Sequence, residues 1–317
     1  MPVSDAPQTA QSQSVTLPTG VEAVLTWAGA THRGRKRDIN QDALLTAYPL
    51  FVVADGMGGH IGGEIASAST VDRLQRMVGK GPVTPEAIEK ALVKAVRDIG
   101  DHPETTDEGT GTTVTGVYLD ITDDDATWVA LNIGDSRVYL QRDDALAQVT
   151  TDHSLVQELV AAGRLSPEEA ENHPYGNVIT RAVGPSEGAV PDYVRLDVRD
   201  GDRFVICSDG LTKELTDYGI LHFLRLHADP AAAVDAMLEA ALENGGRDNI
   251  TIVVLDVAVP GQQAPEPSEA RRATAETATA ADTAEAVDTA DAIDTAEAGE
   301  SAAEGRRGSS PVGDPRQ

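Results

Sequence analysis

Cysteine is almost absent. The 317-residue chain has one, Cys207, so no disulfide can form within it and no zinc site can be built from thiolates. Positive charge is scarce as well: 25 Lys and Arg face 52 Asp and Glu, for a net charge of −27. A chain this acidic lacks the basic footprint that a phosphate backbone demands, which excludes general nucleic-acid binding. Anionic membrane surfaces should repel it. No stretch approaches the ~18 consecutive apolar residues of a membrane span. Residues 1–20 lack the basic and apolar regions of a secretory signal. A cytoplasmic protein with no membrane span is expected.

Aromatic residues are missing altogether after Gln262. Without large apolar groups that segment cannot offset its ordering entropy. It contains three hexads of the form D-T-A-acid-A-x, from Asp282 to Gly299. Acids three residues apart would stack like charges on a helix. Residues 260–317 carry 12 acidic and 5 basic residues, a net −7, and read as a disordered acidic tail. Residues 1–20, rich in Ser, Thr, Gln and Pro, read as a disordered leader. The folded domain is expected at residues 21–259.

Within it, Leu50–Ala54, Phe204–Cys207 and Ile250–Val257 are short apolar runs of the buried-strand type. Thr113–Leu119 and Thr127–Leu131 alternate, and Arg137–Leu140 follows the tight N-I-G-D-S connection, which reads as a hairpin. Helix starts are marked by Thr84-Pro85-Glu86, by the capping-box spacing from Ser166 to Glu169, and by Asp229-Pro230. Strands in neighbouring pairs favour antiparallel sheets with covering helices.

Four carboxylates stand at strand ends. Asp55-Gly56 ends the run Leu50–Ala54, and Asp209-Gly210 follows Phe204–Cys207 by way of Ser208. Asp248-Asn249 opens Ile250–Val257, and Asp135 lies in the G-D-S-R turn. Any one Asp-Gly is a common turn. Four that abut core strands suggest converging carboxylates, which would repel unless a divalent cation lay between them. Hard oxygen donors point to Mg²⁺ or Mn²⁺.

Other motifs fail. The glycine-rich stretch Gly56–Gly63 lacks the Lys-Ser/Thr of a phosphate loop. Asp38–Asp42 begins like a calcium loop but has Ala43 at the glycine position. Ser136 lacks a nucleophile elbow, and the histidines lack the H-E-x-x-H spacing. The basic cluster Thr31–Arg37 is either a solvated loop or the source of a phosphate-gripping arginine.

The ordered set is R-x-x-N-Q-D (Arg37–Asp42), A-D-G-M-G-G-H (Ala54–His60), G-T-T (Gly111–Thr113), N-I-G-D-S-R (Asn132–Arg137), C-S-D-G-L (Cys207–Leu211) and G-R-D-N-I-T (Gly246–Thr251). It resembles the metal-dependent Ser/Thr protein phosphatases of the PPM type (type 2C), in their bacterial form. The resemblance implies an α+β fold: a four-layer α-β-β-α sandwich of two antiparallel sheets flanked by helices. It implies two core ions, Mn²⁺ or Mg²⁺, and a weaker third. Asp55 would bridge the core pair and the Gly56 carbonyl would bind one of them. Asp209 and Asp248 would bind the other, and Asp135 with Asp209 the third. Arg37 would grip the phosphoryl group and Asp42 would act on metal-held water. Asn249 and Thr113 would be structural. Met57 stands where animal relatives carry a histidine discussed as the general acid. His60 is the candidate for that role, with loop packing as its alternative.

Implied with these roles is hydrolysis of phosphoserine and phosphothreonine by a hydroxide held between the core metals, with no part for Cys207. Partners would be phosphorylated proteins, a Ser/Thr kinase and its substrates, met by a monomeric chain. The segment Thr151–Gly184 would be a flap that selects substrates. Two alternatives are a phosphatase dedicated to an anti-sigma-factor antagonist and a non-catalytic phosphoprotein-binding module.

Overall fold

The strand-forming runs pair into two sheets, and every pairing is antiparallel. The computed structural model describes residues 9–58, 62–105, 109–171, 173–185 and 189–261. The chain divides into Met1–Gln263 and Ala264–Gln317. The expectations for the acidic tail and for His60 lie outside the described residues.

In chain order the elements begin with β1 (Gln11–Thr16), β2 (Glu22–His32), β3 (Asp42–Ala47), β4 (Leu50–Met57), α1 (Gly62–Gln75) and α2 (Pro85–Asp101). Next come β5 (Gly111–Thr112), β6 (Val114–Ile121), β7 (Ala126–Ile133), β8 (Arg137–Arg142), β9 (Ala145–Gln148), α3 (Leu155–Ala161) and α4 (Pro167–Glu171). The last are β10 (Asp192–Asp197), β11 (Arg203–Cys207), α5 (Asp209–Thr212), α6 (Asp217–Leu226), α7 (Pro230–Glu243) and β12 (Ile250–Ala258). One sheet has the order β1-β2-β12-β11-β8-β9 and the other β10-β7-β6-β4-β3, with β5 added beside β4.

Three apolar clusters make four layers. Between the sheets, Trp27 meets Phe51 edge-on at 5.1 Å and Trp128 meets Phe204 at 5.2 Å. The outer face of the first sheet (Val205, Ile252, Val254) packs on Ile220, Leu224, Val234 and Met237 of α6 and α7. The outer face of the second (Val52, Tyr118, Leu131) packs on Leu74, Ile88 and Leu92 of α1 and α2. This is the expected α-β-β-α sandwich. Local signals set the helix starts: Thr84 accepts from the Ala87 N–H and Asp229 from the Ala232 N–H. At α4, Ser166 and Glu169 cap each other reciprocally.

Two expectations need correction. Composition places residues 1–20 in a disordered leader, yet Gln11–Thr16 pairs along its whole length with β2, Gln11 opposite Trp27 and Thr16 opposite Glu22. Only Val15 of the six is buried, and Leu17 follows it into the core. A polar edge strand with one solvated face carries little apolar signal, so composition alone reads it as coil. The second correction is at N-I-G-D-S. It links β7 of one sheet to β8 of the other, so it is an arch across the sandwich rather than a hairpin. A tight turn looks the same locally in both cases; the partners of the two strands decide.

A chain that starts at Val21 should therefore lose stability. Burying an aliphatic side chain contributes ~1.5–3 kcal/mol, so Val15 and Leu17 predict a loss of about 3 kcal/mol or more. Urea unfolding of the shortened and full chains checks this, and an unchanged midpoint would mean that the pairing contributes nothing.

Candidate active site

The ends of β4, β11 and β12 and the β7–β8 arch meet at one edge of the sandwich. Across β3 and β4 the register sets Asp42 directly opposite Asp55. Directly opposed residues of an antiparallel pair share a face, and like charges there are destabilising. The Asp55 main chain is held firmly. Its N–H donates to Thr113 Oγ1 at 2.9 Å, and its carbonyl accepts from the Thr113 N–H at 2.8 Å and Thr112 Oγ1 at 2.9 Å. Thr113 Oγ1 also lies 2.8 Å from Ser136 Oγ, which ties Asp55 to the arch that carries Asp135. Gly56 is crowded by the start of α1: a Cβ there would lie 2.0 Å from the Gly63 carbonyl oxygen. Only glycine fits that approach.

Asp209 opens α5 at the end of β11, and Asp248 precedes β12. The two backbones cross so closely that a Cβ on Gly210 would lie 1.8 Å from the Asn249 carbonyl oxygen. Asn249 itself organises the loop ahead of Asp42. Its Nδ2 donates to the carbonyls of Arg33 and Ile39, and its Oδ1 accepts from the Gln41 N–H, each at 2.9 Å. Ser208 and Thr251, neighbours of the motif acids, both donate to Asp42 Oδ2, at 2.9 and 2.6 Å.

These acids feel one another. Burial, and after it the charges of Asp42, Asp209, Asp135 and Asp248, hold the Asp55 carboxyl well above the usual carboxylate range. Burial also pushes Asp42 up to about 7, against the pull of Thr251 and Ser208 and with the push of Asp209 and Asp248. Asp135 is raised to about 7 by burial, with Asp209 and Asp152 adding to it. Asp248 differs. Burial pushes it up, yet Lys213 and Arg37 outweigh that and hold it below its ordinary value.

Two buried oxygens, Asp42 Oδ1 and Asp209 Oδ1, have no hydrogen-bond partner among the described residues. Unpartnered carboxylate oxygens on mutually repelling acids suit a hard divalent cation. As the side chains stand, no three His, Cys, Asp or Glu of the described residues converge tightly enough to hold an ion. Two of the acids are engaged by cations of the chain itself. Lys213 Nζ lies 2.5 Å from Asp209 Oδ2 and 3.0 Å from Asp248 Oδ2. Arg37 Nη2 lies 2.9 Å from Asp248. By its chemistry, carboxylates with two buried oxygens left unpartnered, the donor set fits a hard divalent cation.

Of the residues singled out in the sequence, the structure brings Arg37, Asp42, Asp55, Gly56, Asp135, Asp209 and Asp248 to this edge; His60 lies outside the described residues. Sequence reasoning missed Lys213, and its spacing of four from Asp209 was the available signal. It also left the motif arginine of G-D-S-R without a role. Arg137 grips Asp152 through Nε and Nη2 and donates from Nη1 to Tyr139 Oη at 2.9 Å, bracing the arch. The segment 151–184 is tied to the site at both ends. The His153 N–H donates to the Gly134 carbonyl and its Nδ1 accepts from the Gly134 N–H, while Val183 exchanges both backbone bonds with Thr112. A cavity of about 470 Å³ lies elsewhere, lined by Arg73, Arg76, Lys80 and Lys94 among others. No carboxylate, histidine, hydroxyl or thiol lines it, and none of the motif acids lies in it.

Cys207 is fully buried at the end of β11. Burial pushes its thiol up to about 12, so little thiolate is available at neutral pH. The native protein should give no reaction with Ellman's reagent, and the denatured protein one thiol per chain. A rapid native reaction would put a nucleophilic thiolate back in contention.

A family model described as protein phosphatase 2C matches residues 28–244. The chain is 37% identical over 243 residues to the serine/threonine protein phosphatase PstP of Mycobacterium tuberculosis, covering 75% of this chain and 46% of that one. It thus spans about half the length of that relative. It is 33% identical over 239 residues to the serine/threonine phosphatase stp of Listeria innocua, covering 71% of this chain and 93% of that one. Its fold superposes on the crystal structure of Mycobacterium tuberculosis PstP with a TM-score of 0.66, at 35% identity, over 73% of this chain and 98% of that one. A second structure, the catalytic domain of PstP in complex with two manganese ions, gives a TM-score of 0.65 at 34% identity, over 74% and 99%. Among the described residues, no helix is long and apolar enough to cross a membrane.

Proposed function

Because the chain belongs to the protein phosphatase 2C family, we propose that it hydrolyses phosphoserine and phosphothreonine in proteins with the help of Mn²⁺ or Mg²⁺. The observation that carries the reading is the part-buried Asp55, faced by Asp42 and repelled by three further acids. Asp55 and the Gly56 carbonyl would hold two core ions together with Asp209 and Asp248, and Asp135 with Asp209 a weaker third. Such ions, when bound, acidify water and offset phosphoryl charge. The chain's own residues do the rest. Asp42, anchored through Oδ2 by Ser208 and Thr251, keeps Oδ1 available to orient water and take its proton. Arg37 is half exposed beside Asp248, where its guanidinium can meet phosphoryl oxygens as it holds that acid. His60 is the candidate proton donor to the leaving serine or threonine oxygen. The tied segment 151–184 is the candidate surface for choosing substrates, and those substrates are a Ser/Thr kinase and its targets in the cytoplasm.

The test is Mn²⁺-dependent release of phosphate from a phosphothreonine peptide and from p-nitrophenyl phosphate, abolished by chelator. Arg37→Ala should raise KM for the peptide about tenfold and lower kcat less, because the guanidinium meets the phosphoryl group before and during reaction. Arg35→Ala should do less. If Arg35→Ala is the damaging change, the phosphoryl-binding arginine has been misassigned. Turnover that survives thorough chelation would reject the metal-dependent reading.

A further inference from the structure

Lys213 is one of only five lysines in the chain. It caps the C-terminus of the short α5, four residues after Asp209, and its N–H donates to the Asp209 carbonyl at 2.8 Å. That turn brings its side chain beside Asp209. A lysine with 30% of its side chain exposed has room to extend its ammonium into water. Here the ammonium lies between two acids instead, 2.5 Å from Asp209 Oδ2 and 3.0 Å from Asp248 Oδ2. Asp209 Oδ1 is left buried without a hydrogen-bond partner. Asp248 has a second cation in Arg37, whereas Lys213 is the one cation recorded on Asp209 among the described residues.

We propose that Lys213 is a built-in counter-ion that competes with a divalent cation for Asp209 and Asp248, and so sets how weakly that position of the site holds its metal. The inference rests on the metal-phosphatase reading. The ammonium and the metal call on the same carboxylate oxygens, and two cations in one part-buried cleft repel. Metal binding at Asp209 and Asp248 therefore requires Lys213 to swing out or to stay as an unfavourable neighbour. Without metal, the same ammonium offsets the repulsion of the two acids and keeps the strand ends together. Lys213 is thus a positioning residue that acts through the two acids.

The experiment uses the full chain, with Lys213→Gln and Lys213→Met to remove the charge and Lys213→Arg to keep it. Mn²⁺ is titrated by calorimetry, with free ion counted by electron paramagnetic resonance. Thermal unfolding is followed in chelator and in saturating Mn²⁺. The neutral variants should bind the core Mn²⁺ assigned to Asp209 and Asp248 at least tenfold more tightly than wild type, and Lys213→Arg within about threefold of it. In chelator the neutral variants should melt below wild type, and saturating Mn²⁺ should remove or reverse that order. Equal or weaker Mn²⁺ binding in both neutral variants would overturn the inference while leaving the metal site standing. If wild type and variants alike bound no Mn²⁺, the metal-phosphatase reading itself would fall, and this inference with it.

Discussion

Asp209→Asn and Asp248→Asn should each lower kcat by at least ~10³, about 4 kcal/mol at ~1.4 kcal/mol per decade. Each change replaces an anionic oxygen by a neutral amide at a strand end where the backbone has no freedom to compensate. The two segments pass so closely that a Cβ on Gly210 would lie 1.8 Å from the Asn249 carbonyl oxygen. The two variants should differ in a second respect. Asp248 also carries Arg37 and Lys213, so Asp248→Asn should loosen the phosphoryl-binding arginine and raise KM for phosphopeptide. Asp209→Asn frees only Lys213 and should leave KM closer to wild type. Steady-state kinetics with Mn²⁺ on both purified proteins, with near-ultraviolet circular dichroism to confirm the fold, decides the matter. Near-wild-type turnover in either variant would remove that residue from the metal set.

What the sequence made legible was local. An Asp followed by Gly at the end of an apolar run is a signal a few residues long, and Asp55 and Asp209 stand where that signal puts them. The caps at Thr84, Ser166 and Asp229 are equally local and are seen as expected. What was not legible depends on partners distant in the chain. β1 is recognisable only once β2 lies beside it, because five of its six residues are exposed. The arch at Gly134 was indistinguishable from a hairpin until β7 and β8 had chosen different sheets. Lys213 escaped because its role depends on Asp248, 35 residues on and brought near only by the crossing at Gly210. Register was hidden in the same way. Asp42 and Asp55 are each plain in the sequence, but nothing short of the β3–β4 pairing shows that they share a face.

That shared face gives the last expectation. Asp55→Asn should lower kcat by at least ~10³, since it removes the acid proposed to bridge both core ions. It should also raise the melting temperature of the metal-free protein. Asp55 lies directly opposite Asp42 and feels Asp209, Asp135 and Asp248 as well, each raising its carboxyl. Asn keeps the shape and leaves the Asp55 main-chain bonds to Thr112 and Thr113 intact, because those bonds use backbone atoms only. One opposed like-charge pair on a sheet costs up to ~1 kcal/mol, and burial of the cluster increases it. A gain of at least about 1 kcal/mol corresponds to roughly 2–4 °C in a domain of this size. Saturating Mn²⁺ should reverse the order, because wild type would then gain the binding energy that the variant has lost. Melts of both proteins at pH 7.5, in chelator and in Mn²⁺, supply the four numbers. If Asp55→Asn melts below wild type in chelator, the carboxylates do not repel as their register implies. Asp55 would then contribute to the fold itself, and the argument that this edge of the sandwich requires a divalent cation would lose its main support.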